Sequence, residues 1–144
     1  MNSCVFCRII SGEVPAHKVY EDEKVLAFLD VSPAATGHTL IIPKNHVARI
    51  EELPVTDAEA LFQSLHKLIK PIRESVGCPA ATIGINDGPG SGQEIPHVHI
   101  HIIPRHPGDG GSIIQATART RRPTAQQLQL TAKIIKASID SVLL

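Results

Sequence analysis

The sequence predicts an α+β domain: a five-stranded antiparallel sheet in meander order, helices packed on one of its faces, and an extra helix at the C-terminus. Three observations carry that prediction. Five short runs have strand length and strand composition. Two long segments place apolar residues at helical spacing. The connections between them are short, so sequential elements pack as neighbours. A chain of 144 residues suits one domain.

The elements follow in order. Cys4–Ile10 is a short apolar piece of one or two helical turns, stopped near Gly12. Lys18–Glu21 and Val25–Leu29 read as two strands joined by a turn at Asp22 and Glu23. Ser32–Gly37 is a loop, and Thr39–Ile42 is a third strand closed by Pro43. Thr56 and Glu59 form a capping-box pattern that starts the clearest helix. Ala58, Leu61, Phe62, Leu65, Leu68, Ile69, Ile72 and Val76 continue it at helical spacing, with Gly77 and Pro79 as the stop. Pro71 lies inside this pattern, removes one backbone donor and predicts a kink.

Ala81–Asn86 reads as a fourth strand, Gly88–Gly92 as a loop, and His97–Ile103 as a fifth strand with strict alternation. Residues 105–122 are Gly-rich and then basic, and read as mobile. Pro123 fits the first turn of a last helix, with Leu128, Ala132, Ile135, Ile139 and Val142 on one stripe. The boundaries expected are 1–110 for the sheet domain and 111–144 for a basic loop and C-terminal helix packed on that domain.

Composition excludes several functions. The chain is 42% hydrophobic and 19% charged, an ordinary globular balance. Lys plus Arg is 14 and Asp plus Glu is 14, so no global basic field holds duplex DNA or an anionic membrane. No run approaches the ~20 apolar residues of a membrane helix. The N-terminus lacks a basic segment followed by an apolar one, and three cysteines cannot all pair within one chain. The expected compartment is therefore the reducing cytoplasm. Arg119, Arg121 and Arg122 make a local basic patch without aromatic platforms, which argues against nucleic acid. That patch is either a solvated loop or a clamp for a distal phosphate or leaving group.

Histidine is abundant at eight residues. His97, His99 and His101 alternate with Val98, Ile100 and Ile102, so the three imidazoles share one face of a strand. Neighbours two apart are separated by roughly 6.5–7 Å, so one metal cannot bridge all three on a straight strand, although it can take an adjacent pair. His17, His38, His66 and His106 read as surface or strand-end residues, and Cys78 as a lone thiol. Cys4 and Cys7 have the spacing of half a zinc site, with a redox thiol pair as the rival reading.

The run from Asn86 to Arg105, with Gly92, Gln93, His97, His99 and His101, resembles the signature of the histidine triad superfamily. Ala27–Pro33 followed by Gly37–His46 resembles the same family's upstream motif, and Cys4–Pro15 resembles its bacterial, phosphoramidase-like (Hint-type) branch. The likeness covers roughly residues 4–105. It implies a HIT-like fold and cleavage of nucleoside 5′-phosphate derivatives at the α-phosphorus. His99 would be the nucleophile, forming a nucleotidyl-histidine that water hydrolyses. His97 and His101 would serve the phosphate site and orient the nucleophile. Gln93 and amides around Gly92 would hold phosphate oxygens, and Asn86 would lie near the leaving group.

The resemblance further implies that Asp30 accepts both ribose hydroxyls. Phe6, Ile9, Phe28, Leu29 and Val31 would sandwich the base. Position 94 departs from the branch, which has Ser or Thr there; Glu94 either faces solvent or acts on the leaving group by favouring a cationic amine or donating a proton. A structural zinc would be held by Cys4, Cys7, His46 and His97, four ligands with no open position. A homodimer is implied, with the fourth strand continuing the sheet across a two-fold axis.

The leading expectation is thus a hydrolase or transferase acting on purine nucleoside 5′-phosphoramidates or related nucleotidyl adducts. The alternatives are a dinucleoside polyphosphate hydrolase of the same family, a zinc hydrolase using two triad histidines, and a non-catalytic nucleotide-binding regulatory protein.

Overall fold

The computed structural model of the chain describes residues 3–119 and 121–143. It forms two compact units, Met1–Gly111 and Ser112–Leu144. In the first, a short helix α1 (Val5–Ile10) precedes β1 (Lys18–Glu21), β2 (Val25–Leu29) and β3 (Thr39–Pro43). Helix α2 (Val55–Ser75), β4 (Ala80–Gly84) and β5 (Ile100–Arg105) complete it.

All strand pairs are antiparallel, in the order β1-β2-β3-β5-β4. The expected meander order therefore fails at its last step. Helix α2 carries the chain past the open edge of β3, β4 is laid at the far edge, and β5 returns between them. The central position of β5 is what puts the histidine run in the middle of the molecule rather than at an edge.

Strand alternation sorts the core into two layers. Val25, Ala27, Ile41, Ile100 and Ile102 pack with Leu61 of α2, and Leu65, Leu68, Ile69 and Ile72 close that layer. Leu26, Phe28, Leu40 and Ile42 point the other way and pack with Phe6 and Ile9 of α1. Helices packed on one face only is thus corrected: α2 covers one face and α1 lies against the other. Period-two alternation puts His101 on the α1 face, because its neighbours Ile100 and Ile102 belong to the α2 layer.

Several boundaries differ from expectation for identifiable reasons. Helix α2 starts at Val55 with Pro54 as its unassisted N-cap, so Thr56 lies inside the first turn. There Asp57 accepts from Asn45 (3.0 Å) and Lys24 (3.1 Å), anchoring the helix start to the ends of β3 and β2. The helix runs through Pro71 to Ser75. Residues 105–111, expected to be mobile, form a tight turn in which Asp109 accepts from Arg105 Nε (2.6 Å) and Nη2 (2.8 Å) and from the Gly111 amide (2.9 Å).

In the second unit the helix α3 spans Ala125–Leu143. Pro123, expected in its first turn, precedes the helix, and Thr124 caps it: the Gln127 amide donates to Thr124 Oγ1 (3.1 Å) and the Thr124 amide to Gln127 Oε1 (2.9 Å). This is a capping box written in the sequence as Thr-x-x-Gln. Its apolar side chains Leu128, Ile135, Ile139 and Val142 are exposed. Among the described residues no helix is long and apolar enough to cross a membrane.

Candidate active site

The histidine run is only partly a strand. β5 begins at Ile100, so His97, on a bend, and His99 both precede it, and His101 is the one triad residue inside the sheet. His97 and His99 are buried. This chain turns to meet the segment after β3, since the Val98 amide donates to the Val47 carbonyl (2.9 Å). In the sheet, His101 sits opposite Leu40 of β3 and Gly84 of β4. A Cβ at Gly84 would meet nothing within 4 Å, so the flank of His101 is open on that side.

Backbone carbonyls settle two of the three ring tautomers. His99 Nδ1 lies 2.7 Å from the His97 carbonyl, which can only accept. Nδ1 therefore carries the proton and Nε2 keeps its lone pair. His97 Nε2 lies 2.7 Å from the Pro43 carbonyl. Nε2 is therefore protonated and Nδ1 offers the lone pair. Phe6 of α1 stands edge-on to the rings of Phe28 (5.4 Å), His97 (5.8 Å) and His99 (5.2 Å).

The third tautomer comes through a residue that the sequence reading placed at the surface or a strand end. His38 is buried. The Ala34 amide donates to its Nδ1 (3.0 Å). A backbone N–H cannot accept, so His38 carries its proton on Nε2, which lies 2.9 Å from His101 Nδ1. His101 accepts there and bears its own proton on Nε2, and that buried atom has no hydrogen-bond partner among the described residues. A donor is thus held ready and unsatisfied, 5.0 Å between ring centroids from His99. The signal for His38 was the alternation of β3: it lies two residues before Leu40, on the triad face.

Burial pushes His101 down to about 4, with repulsion from His99 and then His38 adding to it and Asp30 opposing. Burial lowers His38 as well, with Asp30 opposing. Both rings are neutral near pH 7. Asp30 Oδ2 lies 3.6 Å from His38 Nε2, and its Oδ1 accepts from the Ser32 amide (2.8 Å). Asp30, His38 and His101 offer ligand atoms close enough for a metal. The tautomer forbids it, because His38 Nε2 has a proton where a cation needs a lone pair.

A second cluster has the donor types that could hold a cation. Cys4, Cys7, His46 and His97 offer ligand atoms within 4.8 Å of one another. His97 Nδ1 is 3.5 Å from Cys4 Sγ, 3.6 Å from Cys7 Sγ and 3.1 Å from His46 Nδ1, and Cys7 Sγ is 3.4 Å from His46 Nδ1. Tetrahedral zinc with ordinary bond lengths requires N···S edges of about 3.5 Å and N···N edges of about 3.3 Å. The bond from His97 Nε2–H to Pro43 fixes the ring for Nδ1 coordination.

The loop before the triad is tied from within. Gln93 Oε1 accepts from the Gly88 amide (2.8 Å), and its Nε2 donates to the carbonyls of Ala48 (2.8 Å) and Ile95 (3.1 Å). The amides of Gly92 and Gln93 donate to Pro89 (3.1 Å) and Gly88 (3.4 Å). Gln93 is a loop clamp in this geometry, its amide group spent on backbone. Arg49 supports the same loop, donating to Asp87 (3.3 Å), whose other oxygen accepts from the Ile50 amide (2.9 Å). Asn86, Gly92 and Glu94 are exposed around it. Of the apolar positions, Phe6, Ile9 and Phe28 share one cluster. Leu29, by strand alternation, faces away from Phe28, and Val31 is 84% exposed beside Asp30.

This constellation, three histidines with backbone-set tautomers beside a clamped Gly-rich loop, is that of a HIT domain, whose family pattern matches residues 11–108. The chain belongs to the HIT family. It is 37% identical to adenosine 5′-monophosphoramidase HNT1 of Saccharomyces cerevisiae over 115 residues, 78% of this chain and 68% of that one. The crystal structure of SMU.412c from Streptococcus mutans superposes with a TM-score of 0.87 at 38% identity, covering 96% of this chain and 87% of the other. A zinc-bound histidine triad family protein from Mycobacterium smegmatis superposes with a TM-score of 0.71 at 33% identity, covering 97% of each.

Proposed function

We propose that the protein cleaves purine nucleoside 5′-phosphoramidates or related nucleotidyl adducts at the α-phosphorus, through a nucleotidyl-histidine on His99. The carrying observation is the bond from His99 Nδ1–H to the His97 carbonyl, which leaves the Nε2 lone pair as the reactive atom. A neutral imidazole is nucleophilic near pH 7 without further activation. Nε2 attacks phosphorus, the bond to the leaving nitrogen breaks, and that nitrogen takes a proton from solvent water and departs as the amine. Water then displaces His99 from phosphorus and gives up a proton as the ring returns to neutral. The unsatisfied Nε2–H of His101 meets a phosphoryl oxygen and stabilises its charge. Gln93 holds the loop rather than the phosphate. Asp30 accepts from the ribose hydroxyls. Phe6, Ile9, Phe28 and Val31 border the base, with Asn86, Gly92 and Glu94 towards the leaving group.

Zinc is the cofactor that the cluster of Cys4, Cys7, His46 and His97 fits, and the M. smegmatis relative is zinc-bound. Its role here is structural: the four protein donors fill a tetrahedron, and it joins α1 to the chain just before the nucleophile. We also infer a cytoplasmic homodimer, in which the edge strand β4 extends the sheet to a second copy.

The test is amine release from an amine-linked adenylate by native protein and His99→Ala, each with and without a chelator. The expected result is a loss of about a thousandfold or more in His99→Ala, with release by native protein surviving chelation. Release that persists in the variant, or stops only on chelation, refutes the covalent histidine mechanism. Bound nucleotide without turnover in either protein marks a binding protein, and turnover of dinucleoside polyphosphates alone marks the other branch of hydrolases.

A further inference from the structure

His38 Nε2–H faces two acceptors, the His101 ring nitrogen at 2.9 Å and the Asp30 carboxylate at 3.6 Å. The nearer is neutral and the farther is anionic, and charge strengthens an acceptor. Only the first bond holds His101 in the form that donates from Nε2. If the N–H turns to Asp30, His101 Nδ1 loses its partner and the ring is no longer held to one tautomer. The groups facing His101 are His99, His38 and Asp30. The choice is therefore made inside this set.

We infer that Asp30 is a positioning residue that couples sugar recognition to catalysis: a vicinal diol bound to its carboxylate removes the rival acceptor and so keeps His38 Nε2–H on His101, where it lies at 2.9 Å, holding the donor that meets the phosphoryl group. This rests on the proposed nucleotide reading. A cis-diol brings two hydroxyl donors to one carboxylate, and those donors satisfy the charge that otherwise competes for the His38 proton. The loop geometry makes the coupling stiff. The Asp30 amide donates to the His38 carbonyl (2.9 Å), and the His38 amide to Ala35 (3.0 Å). Asp30 and His38 therefore cannot separate without opening the loop that holds both. The consequence is that the sugar acts on turnover as well as on affinity, and that sugars lacking the diol bind in a poorly committed site.

Two measurements test this. The first is nitrogen-15 NMR of the imidazoles in native protein, with adenosine or 2′,3′-dideoxyadenosine at saturation. Adenosine is expected to strengthen the bond from His38 to His101 and hold His101 wholly in the Nε2–H tautomer, and the dideoxy nucleoside to leave the signals of the free protein unchanged. The same His101 signals with both nucleosides, or no response to adenosine, overturn the inference. The second compares amine-linked adenylates with ribose and with dideoxyribose. In native protein the dideoxy sugar is expected to lower kcat about tenfold as well as raise KM. In Asp30→Asn the two sugars are expected to share one kcat. A sugar effect confined to KM in native protein also overturns the inference. If native protein releases no amine from the ribose substrate, the functional reading fails, and the NMR comparison still decides the coupling.

Discussion

His101 is held neutral across a wide pH range, and that has a sign that can be worked out. Its pKa falls from 6.5 to about 4 on folding, mainly through burial. In the unfolded chain the ring protonates near its ordinary value, so as pH falls the unfolded state binds the proton first. Stability therefore declines between pH 6.5 and about 4, and this ring's contribution levels off below that range. Urea unfolding of native protein and His101→Gln across the range is expected to show a shallower pH slope in the variant. Equal slopes would refute the assignment. At this scale the triad was legible because alternation is a local rule. For His38 the same rule gives the side of the sheet but not the partner, because His101 lies 63 residues away. Gln93 shows the reverse: its motif position was readable, but its bonds to Gly88, Ala48 and Ile95 were not.

Among the elements, the turn from the Ser32–Gly37 loop into β3 determines whether His38 reaches the triad. Gly37 has φ +86°, and a Cβ there would lie 3.1 Å from Val76 and 3.2 Å from Pro104. Gly37→Ala thus meets a left-handed backbone and crowded neighbours together. It is expected to cost about 1–3 kcal/mol and to lower turnover by displacing His38. Thermal unfolding with kinetics on the same sample checks this, and an unchanged Tm would contradict it. Strand boundaries for β1 and β2 agreed with the sequence reading, because β-branched and aromatic residues between polar turns identify short strands well. Strand order did not, since antiparallel pairing alone permits β4 to lie on either side of β5. Helix α2 resolves it by spanning β2, β3, β4 and β5 on one face.

For the molecule as a whole, the cluster of Cys4, Cys7, His46 and His97 joins residues up to 93 positions apart. A metal there would close long loops at once, and its removal would weaken the hold of α1 on the sheet. Chelation is expected to lower Tm by about 10 °C. Cys4→Ser with Cys7→Ser is expected to show the lower value with no response to chelator. A native Tm that ignores the chelator would exclude a stabilising metal. Local chemistry was sufficient to identify the family motif, the shared face of the three histidines and the Cys4–Cys7 half of the metal cluster. Each depends on residue type and spacing along a few consecutive positions, where backbone periodicity governs direction. Packing alone decided the insertion of β5, the placement of α1 against the opposite face and the Ala34–His38–His101 chain. Those features depend on which distant surfaces exclude water together, a choice that no short stretch of the chain encodes by itself.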